Sequence, residues 1–211
     1  MVTSNSIPLE IQPTLTPEDA ARGDCYALLA RLFYTGPDQA LLDTVAAIAP
    51  APADAANGDV ARALTALADA ARVADAESAH QHFNDLLIGT GKAPVTPYLS
   101  HYLAETGREK ILVRLRDDLA ELGLARQGAA REPEDHIAGI CELMRYLVGR
   151  GSDAASLARQ REIFDRYLAR SFTPFCDAIA ANPNRGAFFG AVAAFAKAFL
   201  AVEAEGFAML A

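Results

Sequence analysis

The chain has 211 residues, enough for one sizeable hydrophobic core or at most two small ones. Apolar residues make up 52% and charged residues 22%, which excludes a disordered chain, and a formal net charge of −8 makes nucleic acid and anionic membrane surfaces poor partners. Three cysteines, Cys25, Cys141 and Cys176, are odd in number and lack C-x-x-C spacing, so they fit reduced, buried thiols better than disulfides or a zinc site.

Residues 1–15 carry no Lys or Arg and no apolar run of signal-peptide length. They are expected to form a loose tail ahead of a single domain over 16–211. Thr16-Pro17-Glu18-Asp19 is a helix start, with Thr as cap, Pro in the first turn and acids behind it. Ala21, Cys25, Leu28, Leu29, Leu32 and Phe33 give that helix an inward face, and Gly36-Pro37 ends it. A second helix is expected over 38–49, then a Pro/Ala/Asp-rich linker at 50–59. Val60, Leu64, Leu67 and Ala71 carry the helical period onward. Asp75 opens either a second helix or the continuation of a kinked one, bearing Ala79, Phe83, Leu86 and Leu87.

A Gly/Pro-dense loop follows at 89–97, and Pro97-Tyr98-Leu99-Ser100-His101-Tyr102 opens a short helical segment. Residues 108–122 read as amphipathic, with Leu112, Leu115, Leu119 and Leu122 inward. A second flexible joint at 123–131 is a candidate hinge. Beyond it Pro133 is placed as a first helical residue, with Glu132, Glu134 and Asp135 at the positive end of the helix dipole and His136 in the first turn. Ile137, Ile140, Cys141, Met144 and Leu147 then form an apolar stripe. Further helices are expected over 154–170, from Thr173-Pro174 to Asn182, and over 187–202, the last with Phe188, Val192, Phe195, Phe199 and Val202 inward. With Lys197 inside it, this most apolar stretch is short for a membrane span. Period-two alternation is absent throughout, so the expected fold is all-α, one domain of about eight or more helices.

Asp135 and His136 admit two readings. Acids at a helix start are ordinary capping, and a single His is ordinary packing. Alternatively they form a polar anchor at the rim of an apolar groove, Asp135 accepting from a cationic ligand and His136 kept neutral by the helix end. Several catalytic arrangements fail on spacing. Glu77 and His80 make one Glu-x-x-His where a di-iron bundle needs two. His80 and His82 point to different sides of a helix, and His101 with Glu105 is a lone pair on one face. Gly89-Thr90-Gly91-Lys92 lacks the frame and preceding strand of a phosphate loop. A small-molecule enzyme using His136, Asp135 and His101 as acid–base groups remains the alternative.

Three stretches occur in the order and spacing of a known family. The first is Tyr26-Ala27-Leu28-Leu29-Ala30-Arg31-Leu32-Phe33. The second is Phe83 to Gly91 with Pro97 to Tyr102, and the third is Glu132-Pro133-Glu134-Asp135-His136-Ile137. On these the chain resembles the TorD/DmsD/NarJ family of cytoplasmic chaperones that mature molybdenum-cofactor enzymes. Leu87 stands where the family has Phe, and the chain has no Trp, Phe172 lying near the position of a late family tryptophan. The resemblance implies a cytoplasmic protein that is not an enzyme and needs no cofactor. It would bind the N-terminal leader of an apo-molybdoenzyme, often a twin-arginine signal peptide, holding back export and assisting cofactor insertion. It implies a monomer or a domain-swapped dimer, and leaves open a weak guanine-nucleotide response. Its motifs mark Asp135, His136, Glu132, Pro133, Tyr98, Ser100, Tyr102, Leu86, Gly89, Gly91, Pro97 and Ile137 as peptide-binding. A leader of two arginines and an apolar run calls for carboxylates beside an apolar groove. Asp135, Glu132 and Glu134 supply the acids; Tyr98, Leu99, Tyr102, Leu86 and Ile137 are the groove candidates.

Overall fold

Four of the ten α-helices among the described residues start at a small polar residue whose side chain caps them. In the computed structural model, which describes residues 15–49, 58–89, 93–125 and 132–210, the Thr16 hydroxyl accepts from the Asp19 amide and opens α1 (Pro17–Tyr34). Asp38 opens α2 (Gln39–Ala46) by accepting from Leu41 N at 2.7 Å. α3 (Asp59–Arg72) follows Gly58. Asp75 restarts the chain as α4 (Ala76–Phe83), so this region is two helices rather than one kinked helix. The tail at 1–14, residues 50–57 of the linker, Gly91 in the 89–97 loop and residues 126–131 of the hinge candidate lie outside the described residues.

α4 runs on into a wide π-type turn, Asn84–Ile88, whose Leu86 carbonyl accepts from the Val95 amide. Then come α5 (Ser100–Leu103), α6 (Arg108–Glu121) and α7 (Ile137–Val148). Asp153 caps α8 (Ala154–Ile163), which also ends in a π-type turn, Phe164–Leu168, before α9 (Phe172–Ala181) and α10 (Gly186–Met209). The described residues thus hold ten α-helices and no strand, the all-α single domain the sequence predicts.

Two helices carry the core. α7 buries eight of its twelve residues and lies along α1, whose Tyr26, Leu29, Ala30, Leu32 and Phe33 are also buried. α10 packs on α3 and α9 and buries Phe188, Phe189, Val192, Phe195 and Phe199, the last meeting Tyr26 of α1 edge-on. The two halves are tied by a polar clamp. Arg22 of α1 donates from Nε and Nη2 to both Glu203 oxygens of α10, at 2.7 and 2.9 Å, and from Nη2 to Gln160 of α8 at 3.0 Å. The Tyr26 hydroxyl adds a 2.9 Å bond to Glu203.

Several expectations need correction. Pro133 does not open a helix: residues 133–135 form a turn, and α7 starts at Ile137 with His136 as its cap. Ala21 and Val202 face solvent, and of the leucines expected inward over 108–122 only Leu115 is fully buried, while Leu112, Leu119 and Leu122 are half-buried. α9 begins at Phe172, so Thr173 is not its cap. Pro183–Met209 is, by length and composition, long and apolar enough to span a membrane, with half of its most apolar window buried against the rest of the protein. All three cysteines are free thiols, and burial pushes Cys25 up to about 11.

Candidate functional site

Two of the motif stretches meet in space. Tyr98 and His136 face each other across a short antiparallel bridge, in which Leu99 N donates to Asp135 O and Ile137 N donates to Pro97 O, both at 2.9 Å. The Asp135 carboxylate then accepts from Ser100 N at 3.1 Å, at the start of α5. Asp135 is therefore a buried connector, 2% exposed, and not a carboxylate at an open helix mouth. It serves α5, the helix across the bridge, rather than its own.

His136 takes the capping role in α7. Its Nδ1 accepts from Ala138 N at 3.2 Å, which assigns the ring proton to Nε2. The ring lies edge-on between Tyr34, at 5.9 Å, and Tyr98, at 5.6 Å. Burial lowers its pKa, against the opposing pull of Glu132 and Asp135. The direction is the one expected, but its cause is desolvation rather than the helix end. The Tyr98 hydroxyl donates to Glu132, and burial together with that carboxylate pushes the phenol up to about 12.

Beside this junction lies a cavity of about 680 Å³. Its floor is apolar: Leu115 from α6 and Ile140 and Leu143 from α7, all buried, with half-exposed Leu119 and Leu124 completing one wall. Its rim carries three carboxylates, Glu132, Glu134 and Glu142, the last paired with Arg145 of the same rim, together with His136, Tyr34 and Tyr146. A second cavity of about 620 Å³ shares Tyr34, Gly139, Glu142 and Arg145 with the first and continues between α1 and α7 past Ala27 and Ala30. Gly139 forms the saddle between them. A Cβ there would stand 3.3 Å from the Glu134 carbonyl oxygen, so the absent side chain keeps both the turn and the passage open.

The α6 wall is held by Leu115, by the partly buried Ile111 and Leu119, and by charge. Asp118, 1% exposed, accepts from Arg166 Nη1 at 2.6 Å and from the Tyr167 hydroxyl, while Arg159 donates to its backbone oxygen and to Glu121. Nearer the cavity, Arg116 donates from Nε and Nη2 to the two oxygens of Glu134 at 3.0 and 3.1 Å. In the first tie Asp118 is buried but the Arg166 side chain is 25% exposed, so breaking it from one side should cost less than the roughly 3–5 kcal/mol of a fully buried pair. The second has a half-exposed arginine and contributes little.

Of the residues marked in advance, Glu132, Pro133 and His136 line the first cavity. Asp135, Ser100 and Pro97 form the bridge beneath it. Leu86, Leu99 and Ile137 are buried core, not groove surface. Tyr102 is half-buried and donates to the Thr96 carbonyl, and Gly89 closes the π-type turn with a positive φ of 64°. His101 packs edge-on against Tyr102. The sequence reading missed Tyr34, Leu119, Leu124, Glu142 and Tyr146. A signal existed in Leu112, Leu115 and Leu119 of α6 and Leu122 just after it, more leucine than the core takes up, since only Leu115 is fully buried.

A family model described as nitrate reductase delta subunit matches residues 53–177, more than half of the chain. The match takes in α3 to most of α9, including both cavity walls in α6 and α7, while α1, α2 and α10 fall outside it. No curated protein matches the chain. All-α architecture, the joined Pro-Tyr and Asp-His stretches and this match agree: the chain belongs to the nitrate reductase delta subunit family, a family of molybdoenzyme maturation chaperones.

Proposed function

We propose that this protein is a cytoplasmic chaperone for the catalytic subunit of a molybdoenzyme, and that the cavity between α6 and α7 receives the client's N-terminal leader. One observation carries the reading: an apolar floor of Leu115, Ile140 and Leu143 opens beneath a rim bearing Glu132, Glu134 and Glu142. A leader of the twin-arginine type joins two guanidinium groups to an apolar helix-forming run. The run would lie on the leucine wall and the guanidinium groups would meet the rim carboxylates. Occupying the leader in this way holds back export and keeps the apo-subunit available for cofactor insertion. The chaperone itself needs no cofactor for this task.

The acid–base enzyme reading fits the geometry less well. An aspartate-oriented histidine donates from Nδ1, whereas Nδ1 of His136 accepts from its own helix and Asp135 is turned toward Ser100 N.

The test is calorimetric titration with a synthetic peptide of two adjacent arginines followed by an alanine–leucine run. Wild type should bind, and Leu119→Lys, which places a cation on the half-exposed wall, should weaken binding at least tenfold with melting little changed. Equal binding by this variant would remove the cavity from the account.

A further inference from the structure

Glu134 already holds a guanidinium in the geometry a peptide arginine would adopt. Arg116 meets both carboxylate oxygens, side-on, through two parallel bonds. The acceptor is fixed: the Glu134 side chain is 10% exposed and lies on the cavity rim. The donor is loose, at 55% exposure, on a long side chain reaching across from α6. The Arg145–Glu142 pair differs, since both partners stand on α7 and both are half-exposed, as in an ordinary surface pair.

We propose that Arg116 is a built-in place-holder, which an arginine of the bound peptide replaces on Glu134 while Arg116 moves out into solvent. This rests on the reading that the cavity receives an arginine-bearing segment. The exchange conserves charge and two hydrogen bonds, so it adds selectivity rather than affinity. An incoming lysine offers a point charge in place of a planar fork and displaces Arg116 poorly. The wall does not have to move. Asp118, two residues on and therefore on nearly the opposite side of α6, stays bound to Arg166 and Tyr167.

Removing the place-holder should therefore improve binding. In calorimetry with the arginine-bearing peptide, Arg116→Gln is expected to bind about threefold more tightly than wild type. Lys110→Gln, the same charge change on the same exposed helix but off the cavity, should give a smaller gain. With both peptide arginines changed to glutamine, Arg116→Gln and wild type should bind alike. A purely structural salt bridge predicts the reverse, a variant that binds equally or more weakly because Glu134 has lost its orientation. If wild type binds the peptide and Arg116→Gln shows no gain over Lys110→Gln, the place-holder is overturned while the cavity assignment stands. If wild type does not bind the peptide, both fall together.

Discussion

At the scale of single residues, the Asp-His pair turns out to hold two stretches of chain together. Asp135 satisfies Leu99 N with its carbonyl and Ser100 N with its carboxylate, both away from water. Asp135→Ala would leave a buried amide unpaired, so unfolding in urea should show a loss of about 1–3 kcal/mol. Loss of peptide binding in that variant would then reflect a shifted bridge as much as a missing charge. His136 carries a pH signature. Its folded pKa is lowered, so the unfolded chain takes up a proton first as pH falls. Its contribution is intact above the ordinary histidine value near 6.5 and is lost as pH drops through the folded value. His136→Asn keeps an acceptor at the cap and cannot titrate. Melting temperatures followed from pH 7.5 to pH 5 should fall less steeply in this variant than in wild type. The identities of these residues were legible in the sequence. Their roles were not, because a local reading assigns a carboxylate to the nearest helix, and the backbone that Asp135 serves lies 35 residues away.

At the scale of elements, most helices follow directly from caps and apolar spacing. Thr16, Asp38, Asp75 and Asp153 all bond where a cap should. The end of α1 was legible too. Gly36 has φ of 68°, and a Cβ on it would stand 2.6 Å from the Phe83 ring. The failure at Pro133 is instructive: a proline followed by acids resembles a helix start, but here the bridge to 97–99 claims residues 135–137, and α7 can only begin after it. α6 is the other departure. Its leucine spacing promised a fully covered face, yet only Leu115 is fully buried, Ile111 and Leu119 are partly so, and the carboxylate of Asp118 among arginines of α8 and the turn beyond it adds a second tie. Asp118→Ala should accelerate amide exchange over 108–121 and weaken peptide binding, while α10 keeps its protection. Unchanged exchange in α6 would show that its apolar contacts hold this wall without the Asp118 tie.

At the scale of the molecule, a chain of net charge −8 presents a cavity that combines carboxylates with an apolar floor. Those two components respond differently to salt. Exposed charges are screened over about 10 Å at 0.1 M ionic strength, whereas burial of an apolar run is not. Peptide affinity should therefore fall with salt and level off above zero. Salt-independent binding would reduce the rim acids to local structure, and complete loss would remove the floor from the site. Composition and periodicity made the all-α architecture legible, but a cavity is a property of how three distant helices fail to cover one another, which no single stretch encodes. The most direct test is to place a photoreactive residue in the apolar run of the arginine-bearing peptide and map the cross-links by mass spectrometry. The account predicts adducts on the α6–α7 wall, at Leu119, Leu124 and Tyr146. Adducts concentrated instead at the cavity of Leu157 and Leu210, beside α8, would contradict it.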